Sequence, residues 1–239
     1  MYINISSSVP KTFKDIQENI FLFRNFFALA TLSPTNIDFF NLYSSNGDDR
    51  DVNEQNSKYE VFLHYDLYPV DIKNKSRNLL FDYSLSKGAL PYILKKWLHV
   101  KDDLRPILAY LVESIQPTST FRINNFLNIV QALEGYHRRF CKGNEHLDKI
   151  IEKLVKKFVQ VTLVEAEFEN CKEIAKSAYD SRNYYTHLRK TEYAATKTGQ
   201  ELYDLTIKIR LLLVCCVLSE VGFEDNLINK MLVPGKLQF

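Results

Sequence analysis

From about Ser86 to its end the chain keeps a helical period, and nothing else in it limits the fold so strongly. Residues 91 to 98 and 104 to 115 read as two helices with apolar positions three and four apart, ended by Gln116-Pro117. Thr120 can cap a third, running to about Cys141 with Phe126, Ile129, Val130 and Leu133 on its buried stripe, and Lys142-Gly143-Asn144 closes it. Further helices are predicted over residues 147 to 159, 165 to 189 and 197 to 221, before Pro234-Gly235 marks the tail. Helices joined by such short connections bury their stripes against one another, so residues 86 to 239 are expected to form an antiparallel bundle.

Residues 1 to 85 follow a different pattern. Residues 2 to 8 alternate like a short strand, and Thr12-Phe13-Lys14-Asp15 resembles a capping box that opens a helix to about Leu32, where Ser33-Pro34 stops it. Two β-runs, at residues 37 to 43 and 59 to 67, are separated by a polar stretch whose core is Asn46-Gly47-Asp48-Asp49-Arg50-Asp51. A sheet of two or three strands with one helix is marginal alone, so this α/β segment must lean on the bundle or on further residues. The expected fold class is mainly α, α+β overall.

With 239 residues, 46% of them hydrophobic, the chain can bury one large core or two modest ones, which excludes a disordered protein. Cys141, Cys171, Cys215 and Cys216 show neither CxxC spacing nor a disulfide framework, and are expected as reduced packing residues of a cytoplasmic protein. The start lacks a signal-peptide pattern, and the longest apolar run, residues 207 to 221, is interrupted by Lys208, Arg210 and Glu220. No membrane association is expected. Residues 1 to 85 carry eight Lys/Arg against eleven Asp/Glu, a net −3, while residues 86 to 239 carry twenty-three against eighteen, a net +5. The basic part suits a polyanionic partner.

That part also holds Arg182-Asn183-Tyr184-Tyr185-Thr186-His187, a permanent cation, an amide and an imidazole within two helical turns. Residues four apart share a helix face, so Asn183 and His187 point the same way. The amide can fix the ring's tautomer and leave the other nitrogen to move a proton near neutral pH. Arg182, on the flank, can clamp two phosphate oxygens and offset charge built up in phosphoryl transfer. RNA supplies its own nucleophile, the 2'-OH, so such a pair could cut it without metal or cofactor and leave a 2',3'-cyclic phosphate. The same pattern also fits a solvated arginine and a helix-end histidine bonded to a carbonyl. Arg139 and His146 match the spacing too, but Lys142-Gly143-Asn144 lies between them and breaks the helix.

Arg182-Asn183-x-x-x-His187 resembles the signature of the HEPN superfamily, and Ala132-Leu133-Glu134-Gly135-Tyr136-His137-Arg138-Arg139 resembles a segment of its ApeA-like branch. The likeness covers about residues 86 to 232, and more loosely the segment before, which looks like the end of a sheet-rich N-terminal domain. It implies a metal-independent endoribonuclease acting as a homodimer, with Arg and His of both protomers at one cleft, often in bacterial defence and answering a phage- or host-derived trigger. Arg182 and His187 take those roles, with Asn183 at the polar position. Arg189 stands where some branches carry a tyrosine two residues after the His, which argues against the branch silenced by modification of that tyrosine.

Glu134, His137 and Arg138 are expected as a polar patch beside Arg182 and His187 that orients them. A Glu-x-x-His step also serves di-iron bundles, but Glu165, Glu167, Glu169 and Glu173 offer no second His at that spacing. A bracing ion pair within the helix is the plainer reading. Tyr184, Tyr185 and Tyr193 are candidates for stacking unpaired bases, or for core and dimer packing. His64 and His99 are read as structural. Two alternatives to the nuclease stay open: a non-catalytic bundle that dimerises and binds RNA, nucleotide or protein, and a helical scaffold without a ligand.

Overall fold

In the computed structural model, which describes residues 5–9, 11–32, 35–44, 57–61, 79–82, 88–114 and 123–233, Thr12 and Asp15 cap the first helix reciprocally. The Asp15 amide donates to Thr12 Oγ1 at 3.1 Å, and the Thr12 amide to Asp15 Oδ2 at 3.1 Å. The Thr12 hydroxyl, which donates to Asp15 Oδ2 at 2.7 Å, and then the Thr12 amide hold the Asp15 carboxyl below its ordinary range. The helix, α1 (Phe13–Thr31), ends at Leu32, whose left-handed backbone lets its amide reach back to the carbonyls of Ala28 and Leu29. Only its second half is buried: Phe26 stands edge-on to Trp97 at 5.3 Å and to Phe81 at 5.6 Å. The N-terminal part thus leans on the bundle through the second half of α1 and through Leu80 and Phe81, whose ring lies 4.9 Å from that of Phe223.

Strands β1 (Asn41–Ser44) and β2 (Ser57–Glu60) pair antiparallel, Leu42 opposite Tyr59. They lie within or beside the expected runs but are shorter; the rest of the second run, residues 62 to 67, falls outside the described residues, as do Ser33-Pro34, Thr120, Gln116-Pro117, Pro234-Gly235 and His64. The strand expected over residues 2 to 8 is not formed in its described part, residues 5–8. Ser7 explains this, because its hydroxyl donates to the Val9 carbonyl at 2.8 Å and accepts from the Val9 amide at 3.3 Å, groups a ladder would need.

The two helices expected at residues 91 to 115 are one, α2 (Leu90–Ser114), with Pro106 inside it. Ile93, Trp97, Leu104, Ile107, Leu108 and Leu111 are buried and Val100 half-buried, so the apolar stripe runs unbroken through the polar stretch that suggested a boundary. Pro106 brings no N–H to the preceding turn, and the Arg139 guanidinium donates to the Asp103 carbonyl there at 3.2 Å.

α3 (Ile123–Phe140) buries Phe126, Ile129, Val130 and Leu133 completely. It closes at Lys142, which takes a positive φ of 53°. After α4 (Leu147–Lys157), the helix expected over residues 165 to 189 is two: α5 (Thr162–Glu167) and α6 (Cys171–His187). Lys208 accounts for the break. Its ammonium donates to the Glu167 carbonyl at 2.8 Å, taking the acceptor that a continuing helix would use, while Phe168 turns into the core.

A 3-10 segment, Lys190–Ala195, leads to α7 (Gly199–Val221), the central helix, in which every residue from Ile209 to Leu218 is buried; the short α8 (Asp225–Met231) follows. The charges that interrupt its apolar run all reach other elements. Lys208 bonds Glu167, Arg210 donates to the Ser114 carbonyl at 2.8 Å, and Glu220 accepts from the Tyr136 hydroxyl at 2.7 Å. Burial lowers the Arg210 guanidinium to about 10, still cationic at neutral pH. Among the described residues no helix is long and apolar enough to cross a membrane. Cys215 and Cys216 are buried packing residues, but Cys141, just past the end of α3, is exposed and does not pack.

Candidate active site

α6 faces inward with Ala175, Ala178 and Ser181, small residues three apart that let it lie close to its neighbours. Ser181 Oγ accepts the Lys197 amide at 2.9 Å, and the Tyr185 hydroxyl donates to the Lys197 carbonyl at 2.9 Å. These two bonds pin the end of α6 to the segment that leads into α7. Leu188 then takes the left-handed conformation, φ 54°, its amide bonding the Tyr184 carbonyl, so the helix stops directly after His187.

Arg182 is half-buried, and its guanidinium lies between two neighbours. Nη2 is 3.4 Å from Glu134 Oε1 and 3.5 Å from Oε2, and Nη1 donates to Asn183 Oδ1 at 3.2 Å. None of these contacts is short, so a better acceptor can replace them. The Glu134 carboxylate, on α3, is 13% exposed and reaches α6 from across the groove between the two helices.

His187 is exposed and is the last residue of α6, with no side-chain hydrogen bond to another described residue. It shares a helix face with Asn183, about 6 Å further along the axis. The Asn183 carbonyl is nevertheless given to Arg182 and not to the imidazole, so the amide orients the cation instead of fixing the ring's tautomer.

The expected patch divides. Glu134 meets Arg182, but His137, three residues on, turns away into the protein. Its Nε2 lies 3.0 Å from Glu145 Oε2, and the other Glu145 oxygen is bonded by Lys153, which is the main reason that carboxyl stays below its ordinary range. The imidazole packs so tightly beneath the turn after α3 that a Cβ on Gly143 would overlap it. Glu134 and His137 therefore brace different neighbours; they form neither an ion pair with each other nor a ligand step. Among the described residues no three His, Cys, Asp or Glu side chains are grouped so as to hold a metal ion. Arg138 is exposed on the surface of α3.

The tyrosines divide as well. Tyr185 is a structural residue: besides bonding Lys197 it stands edge-on to Phe126 at 6.4 Å, and burial first, with Tyr184 and Tyr193 adding, raises its hydroxyl. Tyr184 is half-buried between Tyr185, at 5.2 Å, and Tyr193, at 5.4 Å, while Tyr193 is exposed. His99 is exposed on α2, and His146, at the start of α4, stands edge-on to Tyr179 at 5.8 Å, away from Arg139.

Three links were missed from sequence: Asn183 to Arg182, His137 to Glu145, and Tyr185 to Lys197. The second had a signal, a glycine in the short turn between two helices, with a histidine before it and a glutamate after.

The Apea-like HEPN family model matches residues 127–227, from α3 to α8, and the ApeA N-terminal domain 1 model matches residues 1–97, from before α1 into α2. No curated protein and no solved structure matches the chain. With the Arg182-Asn183-x-x-x-His187 motif on α6 inside the first match, residues 127–227 are an ApeA-like HEPN domain, and residues 1–97 belong with ApeA N-terminal domain 1.

Proposed function

We propose that this chain is a metal-independent endoribonuclease of a bacterial defence or growth-arrest system. The observation that carries the reading is the pairing on α6 of a guanidinium held by long, displaceable contacts with an exposed imidazole five residues on. Arg182 binds the scissile phosphate and offsets its growing charge. His187 exchanges a proton with the ribose: it takes one from the attacking 2'-OH or gives one to the departing 5'-oxygen. One imidazole serves one of these steps well, so a second copy of the chain supplies the other across a homodimer. RNA as substrate places the action in the cytoplasm, and a phage- or host-derived trigger governs it.

The test is direct. Purified protein incubated with a mixed RNA pool and EDTA should yield fragments ending in 2',3'-cyclic phosphate, and His187→Ala should yield none; cleavage that survives this substitution would overturn the assignment.

One observation favours a second reading, a non-catalytic bundle that dimerises and binds RNA, nucleotide or protein. Asn183 is spent on Arg182, so no described group fixes the tautomer of His187. RNA binding with intact ends by the wild-type protein would select this reading.

A further inference from the structure

Glu134 and Arg138 stand four residues apart on the solvent side of α3, so their Cα atoms are about 6 Å apart along the axis. Their surroundings differ. Glu134 is committed to Arg182, whereas Arg138 is exposed and makes no ion pair or hydrogen bond to another described residue. The adjacent Arg139, by contrast, is tied to α2, 3.8 Å from the Asp103 carboxylate and bonded to the Asp103 carbonyl. Two successive arginines thus have opposite fates, one bracing the bundle and the other held out over its surface.

The chain from Glu134 to His146 is fastened to α6 at both ends, at Arg182 through Glu134 and at Tyr179 through His146. Arg138 follows Glu134 by four residues on the same helix, so its stem leaves α3 on the face that carries Glu134 to Arg182. His137, buried and clamped by Glu145 under the Gly143 turn, keeps the last turn of α3 from rolling, and this fixes the direction in which Arg138 leaves the helix.

We infer that Arg138 is a second phosphate contact for single-stranded RNA, holding the phosphate next to the one at Arg182, so that the strand lies along the groove between α3 and α6. This rests on the proposed function and adds the path of the substrate to it. The Arg182 head meets the Glu134 carboxylate and Arg138 leaves α3 one turn further along, a step comparable to one nucleotide of an extended strand, so the two guanidinium groups address successive phosphates. Glu134, between them, holds Arg182 until a phosphate replaces it. Arg138 touches no reacting atom: it is a binding residue, and its loss should weaken the hold on RNA without slowing the bond-breaking step.

The experiment uses a mixed-sequence 2'-O-methyl RNA oligonucleotide, which keeps every phosphate and has no attacking hydroxyl. Its Kd is measured against salt for the wild-type chain, Arg138→Ala and Arg138→Lys. Arg138→Ala should weaken binding by up to about tenfold at low salt, and the slope of log Kd against log salt should fall by about 0.7, the share of one phosphate on a single strand. Arg138→Lys, which keeps the charge, should retain most of both. On cleavable RNA, Arg138→Ala should raise KM in the same proportion and leave kcat unchanged. An unaltered Kd and slope in Arg138→Ala, or a fall in kcat at constant KM, would overturn the inference while leaving a cleaving wild-type enzyme intact. A wild-type chain that neither binds nor cuts RNA would overturn this inference and the nuclease reading together.

Discussion

Glu134 on α3 and Arg182 on α6 face each other at 3.4 Å across the groove between their helices, with Asn183 on the other edge of the same guanidinium. The pair is half-buried and its geometry is loose, so it orients the cation more than it holds the fold together.

Removing Glu134 should therefore separate catalysis from stability. Glu134→Ala is expected to lower kcat/KM on RNA by about tenfold through misplacement of Arg182, while the unfolding free energy changes by no more than about 1 kcal/mol. Arg182→Lys should not restore activity lost in Arg182→Ala, because an ammonium cannot clamp two phosphate oxygens in one plane. Steady-state cleavage and urea unfolding on the same preparations check both statements.

His187 ends its helix with an exposed side chain, so its loss should be silent in the fold. For His187→Ala we expect a drop in kcat of about a hundred- to ten-thousandfold and an unchanged Tm. A Tm lowered by several degrees would mean that the histidine braces the helix end instead.

Gly143 is tested by adding a single methyl group. Gly143→Ala pushes a Cβ into the His137 ring, and overpacking of this kind should cost roughly 1–3 kcal/mol. Combined with His137→Ala, the same substitution should cost less than it does alone, since its nearest obstacle is gone and only the Glu145 carboxylate remains in the way. Thermal unfolding of the two single variants and the double variant reads the coupling.

Glu145 gives a pH signature. Its carboxyl is held below the ordinary range chiefly by Lys153, so it favours the fold above the pKa of an unfolded glutamate, about 4.3, and that contribution disappears as pH falls through the lower native value. Glu145→Gln should therefore lower Tm at neutral pH, and the difference from wild type should shrink as the solution is acidified below about pH 4. A gap in Tm that is constant across that range would assign the loss to shape and not to charge.

The tyrosines should separate in one experiment. Tyr185→Phe removes the bond to the Lys197 carbonyl and should cost about 0.5–1.5 kcal/mol of stability. Tyr193→Ala, at an exposed ring, should leave Tm in place and weaken single-stranded RNA by roughly 1–3 kcal/mol if a base stacks there.

Periodicity made the bundle legible because burial follows it closely: Phe126, Ile129, Val130 and Leu133 lie inside α3, and Thr12 caps with Asp15 as their spacing requires. Helix boundaries were misread wherever a distant side chain decided them. Lys208 ends α5 from forty-one residues away, which no local pattern can reveal. The polar pause within α2 suggested a break, although the stripe through Trp97, Val100 and Leu104 carried on beneath it. The proximity of Glu134 to Arg182 was within reach of sequence because both lie in motifs; the burial of His137 was not, since it depends on how the turn at Gly143 folds back.

The stop imposed by Leu188 leaves the carbonyl end of α6, and with it the negative pole of the helix, beside His187. A polyanion arriving head-on would be repelled there, so under the proposed function a strand would lie broadside over the helix rather than abut its tip.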